Sequence, residues 1–137
     1  MGFLLKAFVL AFAAFAMNAS ASNLNGLWQT APNKDTGAFL HVEIAACEEK
    51  PDSFCGLITA YFLDGQSEER DIVGKLIIKN MKETSATTWK NGTIWAPDDD
   101  KTYKSKMVLL NQDTLKVSGC VFGGLICRGQ QWSRVGP

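Results

Sequence analysis

Alternation of apolar and polar residues along short segments constrains the fold of this chain more than any other feature. In "AFLHVEIAAC", Leu40, Val42 and Ile44 share one face, and His41 and Glu43 share the other. The segments "TYKSKMVLL" and "LKVSGCV" alternate in the same way. A period of two residues is typical of β-strands with one buried face. No segment after the first 21 residues shows a helical period.

Turn residues separate the predicted strands at close intervals. Asn91-Gly92 is the strongest signal, because both positions of a two-residue hairpin turn need a positive φ. The pattern gives eight or nine strands, and short connections make sequence neighbours antiparallel neighbours. A single sheet of this size has two exposed edges, which closure removes. We therefore expect an all-β fold, an eight- to nine-stranded antiparallel up-and-down β-barrel, with a two-sheet sandwich as the alternative.

The N-terminal segment predicts export. Lys6 precedes an apolar run over residues 7–17, and Ala19-Ser20-Ala21 supplies the small residues of a cleavage site. The run is shorter than the roughly 20 apolar residues of a membrane-spanning helix. Residues 1–21 are predicted to be a cleaved signal peptide. Residues 22–137 are predicted to form a single β-barrel domain with no transmembrane anchor, in the periplasm or outside the cell.

The four cysteines, Cys47, Cys55, Cys120 and Cys127, all follow the predicted signal peptide. An even number of cysteines in an exported protein indicates disulfides. Four cysteines allow three pairings, and the spacing favours two local bridges, Cys47–Cys55 and Cys120–Cys127. A zinc site is the weaker alternative, because neither pair has C-x₂-C spacing and the chain has one histidine.

Charge and motif content argue against several classes of function. Lys plus Arg and Asp plus Glu each number 14, and such a near-neutral chain has no electrostatic footprint for nucleic acid or for an anionic membrane. The acidic run over residues 98–100 lacks the glycine and distal glutamate of a calcium loop. His41 has no identifiable catalytic partner, and no nucleophile, phosphate-loop or metalloprotease motif occurs. We expect a protein that is not an enzyme and uses no metal or cofactor.

Tryptophans near both ends indicate how the barrel closes. Gly26-Leu27-Trp28 begins the first strand, and Arg134 lies near Trp132 in the last. This resembles the lipocalin arrangement, in which the tryptophan of G-x-W packs at the closed end under an arginine from the final strand. A guanidinium over an indole is attracted by its π-face. We assign Trp28, Trp132 and Arg134 to barrel closure.

The longer motifs resemble a family of exported bacterial proteins, domain of unknown function 2147. The matching segments include "GLWQT", "WKNGTIWAPDDDKTYKSKMVLL", "LKVSGC" and "QQWSRV", and the resemblance covers residues 25–135. It implies a small lipocalin-like (calycin-like) barrel with an internal cavity, and it brings no enzyme activity.

Aromatic residues on several strands are explained either by core filling or by a pocket. Ligand pockets are mostly apolar, with a few placed polar groups. Our candidates for ligand binding are Trp89, Trp95, Tyr103, Ser105, Met107 and Gln130. We therefore expect a secreted or periplasmic lipocalin-like protein that binds a small apolar or amphipathic molecule inside its barrel. The alternative is a non-enzymatic cell-envelope protein with a filled barrel, which contacts a protein partner through residues 48–53, 63–71 and 97–101.

Cleavage after Ala21 is directly testable. N-terminal sequencing of the exported protein is expected to begin at Ser22. A chain that still begins at Met1 would contradict the assignment of the signal peptide.

Overall fold

The computed structural model describes residues 23–136, and the predicted signal peptide lies outside the described residues. This part of the chain forms nine strands and one short 3₁₀ turn. Their bounds are β1 Gly26–Gln29, β2 Phe39–Ala46, β3 Phe54–Leu63, β4 Gln66–Glu68, β5 Leu76–Ser85, β6 Thr88–Ala96, β7 Lys101–Asn111, β8 Thr114–Val121 and β9 Ile126–Arg134, with the 3₁₀ turn Phe122–Gly124 between β8 and β9.

Eight of the strands close into an antiparallel barrel. The hydrogen-bonded order is β1, β2, β3, β5, β6, β7, β8, β9, and β9 pairs back onto β1. The short strand β4 pairs with the end of β3 and stays outside the ring. The prediction of an up-and-down barrel is therefore confirmed, and the sandwich alternative is wrong. In the residues described, no helix is long and apolar enough to cross a membrane.

The Asn91-Gly92 hairpin predicted from the sequence is wrong. Both residues lie inside β6, where the pairing with β7 shifts between Trp89 and Gly92, and the turn before β6 falls at residues 86–87. The φ of Asn91 is positive, at 66°, but this conformation belongs to the break in the β6–β7 pairing and not to a hairpin turn. Gly92 is needed because a Cβ there would lie 2.3 Å from the carbonyl oxygen of Lys79.

Large apolar side chains fill one end of the barrel, which we call the closed end. Three of the four tryptophans of the chain, Trp28, Trp89 and Trp132, are fully buried there with Met81 and Met107. Phe54 packs edge-on against Trp89, with ring centroids 6.4 Å apart. Burying such side chains contributes roughly 1.5–3 kcal/mol each, so this cluster is the main source of stability.

Arg134 fastens the first strand to the last. Its Cζ lies 4.2 Å from the centre of the Trp28 ring, and the two residues are paired across β1 and β9. Its Nε donates to the carbonyl oxygen of Gln112 at 2.8 Å, and its Nη1 donates to that of Asn25 at 3.0 Å. Its Nη2 donates to the carbonyl oxygen of Asn23. The guanidinium thus joins the turn before β8, the residues before β1 and the indole in one contact.

Trp28 also makes a hydrogen bond to the residues that precede β1. Its Nε1 donates to the carbonyl oxygen of Leu24 at 2.9 Å. Trp132 lies further towards the opposite, open end, beside Leu115 of β8. Trp28 and Arg134 therefore make the direct contact across the seam, and Trp132 packs above them.

The four cysteines form two disulfides. Cys47–Cys55 joins the end of β2 to the start of β3 at the closed end, and Cys120–Cys127 joins paired positions of β8 and β9 near the open end. The two predicted bridges are therefore confirmed. The described residues contain no free cysteine that could bind zinc, as the alternative would require.

Replacing Trp28 by alanine tests the role of the seam. Because Trp28 is 0% exposed, we expect the variant to lose about 3–5 kcal/mol of unfolding free energy in urea titration. The matched control is Leu110→Ala, which alters a side chain that is 48% exposed and is expected to change stability by about 0.5 kcal/mol or less. Equal unfolding midpoints for the two variants would contradict this role.

Candidate functional site

The open end of the barrel contains a cavity of about 800 Å³. Three members of the buried core border it, Trp132, Val117 and Ile77, as do the partly buried Leu40 and Ile94 from β2 and β6. Pockets for small molecules typically measure about 300–1,000 Å³. The size and the apolar lining both suit a small molecule.

The cavity exists because the inward side chains become smaller or more polar towards the open end. In the register of β8 and β9, each inward-facing residue of β8 lies opposite an inward-facing residue of β9. From the closed end upwards the pairs are Leu115 with Trp132, Val117 with Gln130, and Gly119 with Arg128. Trp132 therefore fills the barrel two levels below Arg128, whereas at the level of Arg128 strand β8 contributes only Gly119, against which Ile94 and Tyr103 pack.

A loop over residues 30–38 lies over the mouth of the cavity. Asn33 joins this loop to the β6–β7 turn, since its Nδ2 donates to Oδ2 of Asp98 at 3.2 Å. The Oδ1 of Asn33 accepts from the backbone N–H groups of Asp35 at 2.8 Å and Thr36 at 3.0 Å. One asparagine therefore both shapes the loop and ties it across the mouth.

Gln130 is the polar group with the most defined orientation in the cavity. Its Oε1 accepts from Nε1 of Trp132 at 2.9 Å and from the backbone N–H of Ala31 at 3.2 Å. Both partners are N–H donors, so they fix which end of the amide is the oxygen. The NH₂ group of Gln130 is left as a donor.

The structure brings together three of the six predicted ligand-binding residues. Trp95, Tyr103 and Gln130 border the cavity. Trp95 also borders a smaller outer pocket of about 380 Å³ between β5 and β6. The Trp95 Nε1 donates to Oδ1 of Asp100 at 2.9 Å, and the Lys75 Nζ lies 5.7 Å from the centre of its ring.

The other three predicted residues lie in the packed part of the barrel. Trp89 and Met107 are paired with each other across β6 and β7 and are fully buried. Ser105 is also buried, and its hydroxyl donates to the carbonyl oxygen of Ser118 at 2.9 Å. Strand alternation identifies inward faces, but it does not distinguish the filled half of a barrel from the open half.

Sequence analysis missed Arg128, Leu40 and Val117 as wall residues of the cavity. Arg128 was within reach of the same reasoning, because it continues the inward series of Trp132 and Gln130 by one step of two residues. The height of such a residue along the barrel axis decides whether its side chain lies in the packed core or at the open end. Predicting this height requires the register of all the strands.

His41 lies outside the cavity. Its Nε2 is 3.1 Å from Oε1 of Gln29, and its ring centre is 4.5 Å from that of Phe62. Partial burial lowers the pKa of His41 below its usual value. Within residues 23–136, no group of three or more His, Cys, Asp or Glu side chains is placed to hold a metal ion.

Comparison with known proteins gives a family and a fold. The family model described as "Uncharacterized protein conserved in bacteria (DUF2147)" matches residues 26–134. A solved structure, protein HP1028 from Helicobacter pylori, is described as belonging to the lipocalin family. It is similar to this chain with a TM-score of 0.67 and 16% sequence identity, over 82% of this chain and 83% of that one. No curated protein matches the chain. At this identity the structural likeness shows the lipocalin-like fold alone.

The lowered pKa of His41 predicts a pH effect on stability. Neutral His41 is favoured in the folded state, so its contribution is present above about pH 6.5 and is lost as the pH falls through the lower, folded-state pKa. We expect the wild type to lose more unfolding free energy than His41→Gln between about pH 7.5 and pH 5.5. Parallel curves for the two proteins in urea titration would contradict the assignment.

Proposed function

The chain belongs to the DUF2147 family, and we propose that it is an exported, lipocalin-like protein that binds a small apolar or amphipathic molecule inside its barrel. The observation that carries this proposal is the cavity of about 800 Å³ above the apolar core. The barrel is thus filled at one end only.

Burial of apolar surface supplies the binding free energy in this proposal. The floor of Trp132 and Val117 and the wall of Ile77 and Ile94 remove apolar atoms of a ligand from water. Each Å² of apolar surface removed contributes roughly 25 cal/mol. The side chains of Gln130 and Tyr103 add polar groups that orient the ligand.

The rim of the cavity suits entry by an amphipathic molecule. Val121 and Ile126, which border the cavity, continue into the tip of the β8–β9 hairpin. At this tip Phe122 is 74% exposed and Leu125 is 87% exposed. An exposed apolar group beside an apolar cavity gives the ligand a continuous path that avoids full hydration of its apolar part.

The residue types of the cavity lining and the two disulfides support two further parts of the proposal, a non-enzymatic role and export from the cytoplasm. The described lining contains no histidine, cysteine, serine or glutamate, which supports binding over catalysis. Two disulfides support an oxidising compartment such as the periplasm or the cell exterior. The alternative, a filled barrel acting through its loops, has less support because the barrel has open volume.

A pair of leucine substitutions tests the proposed site. Leu40 borders the cavity, so Leu40→Trp is expected to occupy part of it and weaken binding of an environment-sensitive apolar dye at least about tenfold. Leu57→Trp is the matched control, because Leu57 is 38% exposed and does not line the cavity. The readout is dye fluorescence at micromolar protein. Failure of the wild type to saturate, or equal weakening by both variants, would overturn the proposal.

A further inference from the structure

Strand β9 places a cation on the wall of the cavity. Arg128 borders the cavity from an inward position two residues from Gln130. The other charged residues of the lining, Lys34, Asp98 and Asp99, lie in the mouth loop and in the β6–β7 turn. The charge carried by the barrel wall itself is therefore positive.

The guanidinium of Arg128 is not used by the fold. The ion pair found among residues 23–136 joins Arg70 to Glu68, and the side chain of Arg128 makes no hydrogen bond or ion pair within the same range. Arg134, six residues further along the same strand, shows the contrast, since its three nitrogens all donate to backbone carbonyl oxygens. Five N–H donors of Arg128 remain for an incoming group.

Gln130 adds a second donor on the same face. Its oxygen is occupied by the N–H groups of Trp132 and Ala31, so its NH₂ group is the part left for a ligand. Residues two apart on a strand point to the same side and lie roughly 6.6 Å apart. Arg128 and Gln130 therefore present donors and no acceptor, an arrangement that suits an oxyanion.

The rest of the mouth favours the same position for an anion. Asp98 and Asp99 place negative charge on the β6–β7 side of the cavity, and Asn33 holds Asp98 there. A negatively charged group is repelled from that side and attracted to the β9 side.

We propose that the cavity takes amphiphiles with an anionic head group, a carboxylate or a phosphate monoester. The guanidinium of Arg128 and the amide NH₂ of Gln130 bind the head group, and the alkyl tail lies on the floor of Trp132 and Val117. This inference rests on the proposed function, because it concerns the same cavity.

Four amphiphiles with the same twelve-carbon tail test the proposal on the intact, disulfide-bonded protein. The probes are dodecanoate, dodecyl phosphate, dodecanol and dodecyltrimethylammonium, titrated by calorimetry, the charged probes below their micellar concentrations and dodecanol below its solubility limit. We expect at least one of the two anions to bind about tenfold tighter than dodecanol, and the cation to bind more weakly than dodecanol. A preference between the two anions identifies the head group as carboxylate or phosphate.

Two charge-removing variants locate the effect. Arg128→Gln is expected to abolish the preference for the anions over dodecanol, a loss of about tenfold in their relative affinity. Lys34→Gln removes the cation of the mouth loop, and we expect it to weaken anion binding less than about twofold. Because the Arg128 side chain is exposed and makes no hydrogen bond or ion pair among residues 23–136, the circular dichroism spectrum should be unchanged.

The outcomes distinguish the head-group inference from the proposed function. Equal binding of dodecanol and both anions, or an anion preference that survives Arg128→Gln, would overturn the head-group inference while leaving the proposed ligand site intact. An effect of Lys34→Gln as large as that of Arg128→Gln would do the same. Absence of saturable binding by all four probes would overturn the proposed function and the inference together.

Discussion

The contact between Arg134 and Trp28 is the one on which the rest of the barrel depends. A meander of antiparallel strands acquires its final pair only when its first and last strands meet, and here β1 is only four residues long. The backbone pairing of β1 with β9 is correspondingly short. Arg134 reinforces it through the indole face and three carbonyl oxygens from two separate chain segments. The side chain of Arg134 thus strengthens a junction between β1 and β9 that has few backbone hydrogen bonds.

The barrel has a filled half and an open half because the side chains that point inward from each strand differ in size between its two ends. Tryptophan, methionine and isoleucine occupy the closed end, and the same rows continue with Gly119 and Gln130. The packed half supplies stability, which lets the open half retain volume without losing the fold. Stability and binding capacity therefore come from different levels of the same strands.

Strand existence, barrel class and the local disulfides were predictable because they depend on short-range patterns. Alternation identified Leu40, Val42 and Ile44 as inward residues, and Val42 and Ile44 are buried. The Asn91-Gly92 prediction failed because the same backbone requirement, a positive φ, arises at a bulge inside a strand. The site was only partly predictable: Trp89 and Gln130 both point inward, but their heights in the barrel depend on pairing between distant strands.

The placement of the disulfides separates oxidation from ring closure during maturation of the chain. Each bridge links two adjacent strands, β2 with β3 and β8 with β9, and joins cysteines only 8 or 7 residues apart. Such short loops close at low entropic cost, so a hairpin on its own is enough to bring each pair together. The β1–β9 seam, by contrast, joins Arg134 to a residue 109 positions earlier and carries no covalent link. Both bridges can therefore form on an open meander, before the first and last strands meet.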